Sequence, residues 1–185
     1  KQKNTMPFST KLSFSTLFHY FFTYFVASFN QKCYICTVES AHFMQATGLA
    51  NELKVSRNDI STYLLYMEKA GMIGQLRDET GGMRGLGKTD KVYLDNPNLI
   101  YALSGDHANI GNIRETFFYN QTRLTEDVIT SKVSDFTIGK YTFEVGGAKK
   151  SHKQIKNVPH SYVVRDDVEY ANGDILPLWS FGLLY

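Results

Sequence analysis

Two acids in the C-terminal third could do chemistry together. Asp135 lies in SDFTI and Glu144 in YTFEVGG, two strand-like runs joined by Gly139-Lys140. On neighbouring strands an Asp and a Glu offer hard oxygen ligands of the kind that hold Mg²⁺. A lysine close by would orient the attacking water in phosphodiester hydrolysis and steady the charge that develops. Two residues after the Glu this chain has Gly146; the nearest lysines are Lys149 and Lys150. Lys149 is taken as the displaced cation, and Glu115 as a third carboxylate that could join Asp135 and Glu144 on a metal. With glycine there and the lysines further on, hydrolysis is expected to be weak or absent. The alternative to chemistry is a hairpin carrying two exposed acids.

A second stretch, Gly82 to Thr89 (GMRGLGKT), fits the phosphate-binding pattern G-x-x-x-x-G-K-[ST] at every fixed position. That pattern works through a strand, a glycine loop and a helix whose N-terminus faces the phosphates. Here Thr89-Asp90 runs straight into KVYLD, an alternating strand. The glycines then serve a hairpin, and no ATP hydrolysis is expected.

The elements around the glycine stretch suggest what it belongs to. TGLANELKVS has apolar residues at helical spacing, and Ser56 is a cap for the next helix, RNDISTYLLYMEKAG. That helix places Ile60, Tyr63, Leu64 and Met67 on one face and ends at Gly71. Strands at Met72–Arg77 and Lys91–Asp95 follow. Two helices and a two-stranded hairpin make a winged helix-turn-helix over residues 46–103. Arg57, Asn58 and Ser61 on the second helix, with Arg84 and Lys88 in the wing, are its candidate nucleic-acid contacts. Between Ala46 and Leu103, however, seven Lys/Arg face seven Asp/Glu. An uncharged module argues for weak DNA binding or for an adaptor that meets another protein.

Residues 104–185 read as a second unit. After a loop, SGDHANIGN, a helix is expected around NIRETFFYNQTRL with Ile113, Phe117 and Leu124 inward. Strands follow at Asp127–Thr130, Ser134–Ile138 and Tyr141–Val145, then a basic helix at Lys149–Lys156 and a strand at Ser161–Val164. LPLWSFGLLY closes the chain as a helix or strand covering the sheet. The expected class is α/β, with the α-β-β-β-α-β order of a restriction-endonuclease-like domain behind the winged helix.

The 185 residues are 43% hydrophobic and 21% charged, with formal net charge +2, which fits a folded chain and does not by itself announce a nucleic-acid partner. Two cysteines give no disulfide framework, so a cytoplasmic setting is the default. Cys33 and Cys36, with His42 nearby, lack the second ligand pair that structural zinc needs. Residues 1–45 stand apart. LSFSTLFHYFFTYFVASF, residues 12–29, follows Lys1, Lys3 and Lys11. It leaves open membrane association through that stretch.

Several runs together resemble one family. RETFF (114–118), DF (135–136), YTFEVGG (141–147), KQIK (153–156) and LPLWSFGLLY (176–185), with YMEKAG (66–71) and YLDN (93–96), are similar to the C-terminal part of bacterial AAA-type ATP-binding proteins. That region is known as domain of unknown function 4143. The resemblance covers roughly Leu49 to Tyr185. It implies a winged helix and a nuclease-like domain that in the family follow an ATPase domain. On this reading the chain is a C-terminal fragment, a binding module for DNA, another protein or an ATPase domain. It needs no cofactor, although Mg²⁺ would serve the nuclease-like site, and no small-molecule substrate is expected.

Overall fold

The computed structural model describes residues 56–78, 89–104 and 108–184. Arg84, Lys88, the cysteines, the 12–29 stretch and the helix expected before Ser56 lie outside them. Helix α1 (Arg57–Lys69) leads into strands β1 (Ile73–Arg77) and β2 (Thr89–Leu94). Helices α2 (Pro97–Ser104) and α3 (Ile110–Thr122) come next, then β3 (Val128–Thr130), β4 (Phe136–Ile138) and β5 (Tyr141–Gly146). A 3-10 turn (His152–Gln154) precedes β6 (Ser161–Arg165) and β7 (Ile175–Pro177), and a second one (Leu178–Leu183) follows β7.

The class is mixed α/β. One seven-stranded sheet runs β2-β1-β3-β4-β5-β6-β7. The β1–β2, β3–β4 and β4–β5 pairings are antiparallel; β1–β3, β5–β6 and β6–β7 are parallel. The hairpin on either side of the glycine stretch is thus an edge of the sheet that carries the C-terminal strands. A single register pair, Arg77 with Ile129, makes that join.

Local chemistry accounts for the elements. Ser56 and Asp59 close a reciprocal capping box at the start of α1: the Ser56 hydroxyl accepts from the Asp59 N–H at 3.2 Å, and the Asp59 carboxylate accepts from the Ser56 N–H at 3.2 Å. Past its end Gly71 takes φ +67°, a left-handed conformation that glycine adopts without steric penalty. Leu64 and Met67 are buried, as their helical spacing requires. At α3 the Asn109 side chain accepts from the N–H groups of Gly111 (2.8 Å) and Asn112 (3.2 Å).

Three expectations change. The stretch read as a loop before NIRETFF already contains the first turn of α3. That helix buries Asn112, Thr116, Phe118, Tyr119 and Thr122; Phe117 is half-buried and packs against the core, whereas Leu124 lies beyond the helix end and is exposed. The basic helix expected over Lys149–Lys156 is reduced to the His152–Gln154 turn.

Phe118, fully buried, lies at the centre of the core. Its ring centroid is 5.0 Å from that of Phe136, 5.3 Å from Phe143 and 4.7 Å from Phe181. The same cluster takes Leu76 and Tyr93 from the hairpin, Val145 and Val164 from the C-terminal strands, and Leu178 from the closing 3-10 turn. The Tyr93 ring lies 5.1 Å from that of Tyr119 and 5.8 Å from that of Phe136, so the inner face of β2 turns toward α3 and β4.

Candidate functional site

Strand β5 is buried from Thr142 to Gly146, and within it stands Glu144, 1% exposed. A carboxylate so placed must find partners or lose its charge. Ser134, ahead of β4, brings its hydroxyl 2.6 Å from Glu144 Oε2 and 2.7 Å from the Phe143 carbonyl, so one proton serves two acceptors in turn. Lys150 Nζ lies 2.5 Å from Glu144 Oε1 and 3.9 Å from Asp135 Oδ2. At that distance the ammonium group is ion-paired with Oε1, and no second donor reaches that buried oxygen. Asp135, one residue ahead of β4, is fixed by the Val145 N–H, which donates to Oδ2 at 2.9 Å.

The lysine reaches the carboxylates because Gly146 lets it. Lys150 lies on a turn closed by its own N–H to the Gly147 carbonyl at 2.8 Å. Its stem doubles back across Gly146: a Cβ there would meet the Lys150 Cγ at 2.6 Å and its Cβ at 2.7 Å. At Gly147 a Cβ would meet the Arg114 guanidinium carbon at 2.9 Å. Gly146 therefore leaves the space that the Lys150 stem fills. Lys149, the lysine named from sequence, is exposed.

Helix α3 and strand β2 complete the cluster. Glu115 Oε2 accepts from the Tyr93 hydroxyl at 2.9 Å and lies 3.4 Å from Lys91 Nζ. Lys91 Nζ is also 3.9 Å from Asp135 Oδ1. The charges alternate in space as Glu115, Lys91, Asp135, Lys150, Glu144. Residues 91 and 93 share one face of β2 by the two-residue period of a strand. The alternation of KVYLD is legible in the chain, but chain order does not show that its inner face meets these acids.

Electrostatics follow from burial and this crowding. Burial, then the charges of Glu115 and Glu144, raise the Asp135 carboxyl to about 6, against the opposing Val145 hydrogen bond and Lys150. Burial works to lower the Lys150 ammonium pKa, but its contact with Glu144 and the surrounding acids outweigh it and hold it above the ordinary lysine value. Lys150 thus stays a cation at neutral pH. Burial, with the Glu115 charge second, pushes the Tyr93 phenol well above its usual range, so it remains a hydrogen-bond donor.

The residues fit a small hard cation. Mg²⁺ commonly takes one or two carboxylates and keeps several waters. Asp135 and Glu144 supply such a pair, and Glu144 Oε1 is a buried oxygen with a charge beside it and no second donor. Among the described residues no three Asp, Glu, His or Cys side chains are gathered closely enough to hold one ion together. Ammonium groups stand between the carboxylates instead.

Of the nucleic-acid contacts read from sequence, Arg57, Asn58 and Ser61 fall in the first turns of α1. Asn58 is exposed and Ser61 half-buried. Thr89 opens β2, so a strand follows the glycine stretch. Among the described residues no helix is long and apolar enough to cross a membrane. No protein-family model, curated protein or solved structure matches the chain, and the site is argued from its own geometry.

Proposed function

We propose that this chain joins a winged helix to a restriction-endonuclease-like unit, and that the unit is a Mg²⁺-dependent phosphodiesterase acting on nucleic acid. The observation that carries this reading is Lys150, returned across Gly146 to lie 2.5 Å from buried Glu144. Asp135 and Glu144 would hold the cation. A bound Mg²⁺ would lower the pKa of a coordinated water and offset charge on the phosphate. Lys150, charged at neutral pH, would hold the attacking water by hydrogen bonding and face the charge that builds on phosphate oxygens, rather than take a proton. Ser134 keeps Glu144 Oε2 oriented, and the Val145 N–H does the same for Asp135.

A second reading is favoured by the alternating ion pairs. Two ammonium groups already answer most of the charge on three carboxylates, as in a purely structural network. The chain would then be a binding module for DNA or a protein, the C-terminal part of an AAA-type ATP-binding protein without its own ATPase activity. Cleavage of linear and supercoiled DNA with Mg²⁺ or Mn²⁺ separates the two. Wild type and Lys149→Ala should cleave, while Asp135→Ala, Glu144→Ala and Lys150→Met should lose at least roughly a hundredfold in rate. Equal background in all five proteins would leave the binding module.

A further inference from the structure

We infer that Lys91 is a built-in stand-in for a divalent cation between Glu115 and Asp135, and that a cation binding there has to displace it. The inference rests on the proposal that Asp135 ligates metal, and it adds to that site a residue from the opposite edge of the sheet. Lys91 Nζ lies 3.4 Å from Glu115 Oε2 and 3.9 Å from Asp135 Oδ1, with the lysine side chain 21% exposed. It does not reach there by chance of a long side chain. Two residues along the same face, Tyr93 is buried against Tyr119 and Phe136 and donates to the same Glu115 oxygen. That packing anchors β2 and delivers the Lys91 stem to the gap between the acids.

A hard cation takes its oxygens at about 2.0–2.1 Å if it is Mg²⁺. An ammonium group within 4 Å of both carboxylates fills the volume and supplies the charge that such an ion would bring. A cation seated on Glu115 and Asp135 would take the place of the Lys91 ammonium, as one seated on Asp135 and Glu144 would take that of Lys150 and leave it to the attacking water. Whatever Lys91 contributes to these ion pairs is therefore subtracted from the affinity of the site for a metal, by linkage. The arrangement also explains why Glu115, although close to Asp135, meets two protein donors in this state.

The test is Mn²⁺ binding to the whole chain without nucleic acid, read from the electron paramagnetic resonance signal of free Mn²⁺. Lys91→Met and Lys91→Gln should each tighten binding by roughly five- to tenfold, the scale of a partly buried ion pair. Lys91→Arg, which restores the charge, should return it to within about twofold of wild type. A simple packing role would not reproduce that order, and using two neutral variants protects the test from one that folds poorly. Neutral variants that bind Mn²⁺ no better than wild type, while Asp135→Ala abolishes binding, would overturn the role of Lys91 and leave the metal site standing. Absence of binding in wild type and in every Lys91 variant would overturn both.

Discussion

Glu68 and Glu144 are two carboxylates against the same sheet, and they are completed in opposite ways. Glu68, on α1, meets the hairpin. Its Oε1 accepts from the Gln75 N–H at 3.1 Å, and its Oε2 accepts from Gln75 Nε2 at 3.0 Å and Arg77 at 2.6 Å. Gln75 in turn accepts from the Thr89 hydroxyl at 2.8 Å. Glu144 is more deeply buried, and its oxygens meet one hydroxyl at 2.6 Å and one ammonium group at 2.5 Å, with two other acids nearby. In the first network hydrogen bonds answer both carboxylate oxygens. In the second, one cation stands against a buried carboxylate and its acidic neighbours, which makes that network the more dependent on its cation.

The largest expected effect tests whether the two regions belong to one cooperative body. Phe118 lies in a cluster that includes hairpin and C-terminal strand residues. Phe118→Ala should cost about 3–5 kcal/mol. Urea unfolding followed by hydrogen exchange should show β1 and β5 losing protection together. If the hairpin melts separately, the comparison is between two bodies rather than two parts of one.

Cutting the cation from each network should come next in size. Lys150→Met leaves Glu144 buried and uncompensated, at a cost of roughly 2–4 kcal/mol at pH 7.5. Arg77→Met should cost only about 1–2 kcal/mol, since Gln75 still donates to both Glu68 oxygens. Equal losses in chemical denaturation would erase the distinction between the networks.

The smallest effect has a sign that discriminates. Asp135 titrates at about 6 in the folded protein against an ordinary 3.8, so the folded state holds the proton more tightly than the unfolded one. Stability from this group therefore rises as pH falls from about 6 toward 4 and is lost as pH rises through 6. At pH 8, Asp135→Asn should stabilise the protein by about 1–2 kcal/mol, and the gain should shrink as the pH falls through that window. Glu68→Gln should instead destabilise at pH 8, because it removes the charge that Arg77 meets. Thermal melts of the two variants across pH 4–8 would check both signs.

Local rules carried much of the architecture. Ser56 as a cap, Gly71 at a helix end, and a strand over Tyr141–Val145 could all be read from residue type and spacing, because each depends on neighbours in the chain; the burial of that strand could not. The phase of α3 could not. Its buried stripe mixes Thr116 and Thr122 with Phe118 and Tyr119, and the Thr122 hydroxyl satisfies itself on the Phe118 carbonyl at 2.7 Å, so hydrophobicity alone misplaced the inward face. Asp135, Glu144 and Glu115 were legible as acids on elements that had to lie close. Lys150 was not, since nothing in chain order shows a side chain crossing a glycine. Lys91 and Tyr93 needed the curl of the sheet.

The turn from Gly147 to Lys150 separates the lysine from the strand that carries its acid. A lysine within β5 could be lost only by substitution, and its register would be enforced by pairing with β4 and β6. Lys150 stands instead on a connector, closed by one backbone hydrogen bond, whose length is independent of the ladder. Inserting or deleting a single residue at Ala148 would carry the ammonium group away from Glu144 while every strand kept its partners. Chemistry and scaffold are thereby placed under different kinds of mutation. Under the proposed function, indels in this turn would silence or restore cleavage while leaving the sheet unchanged.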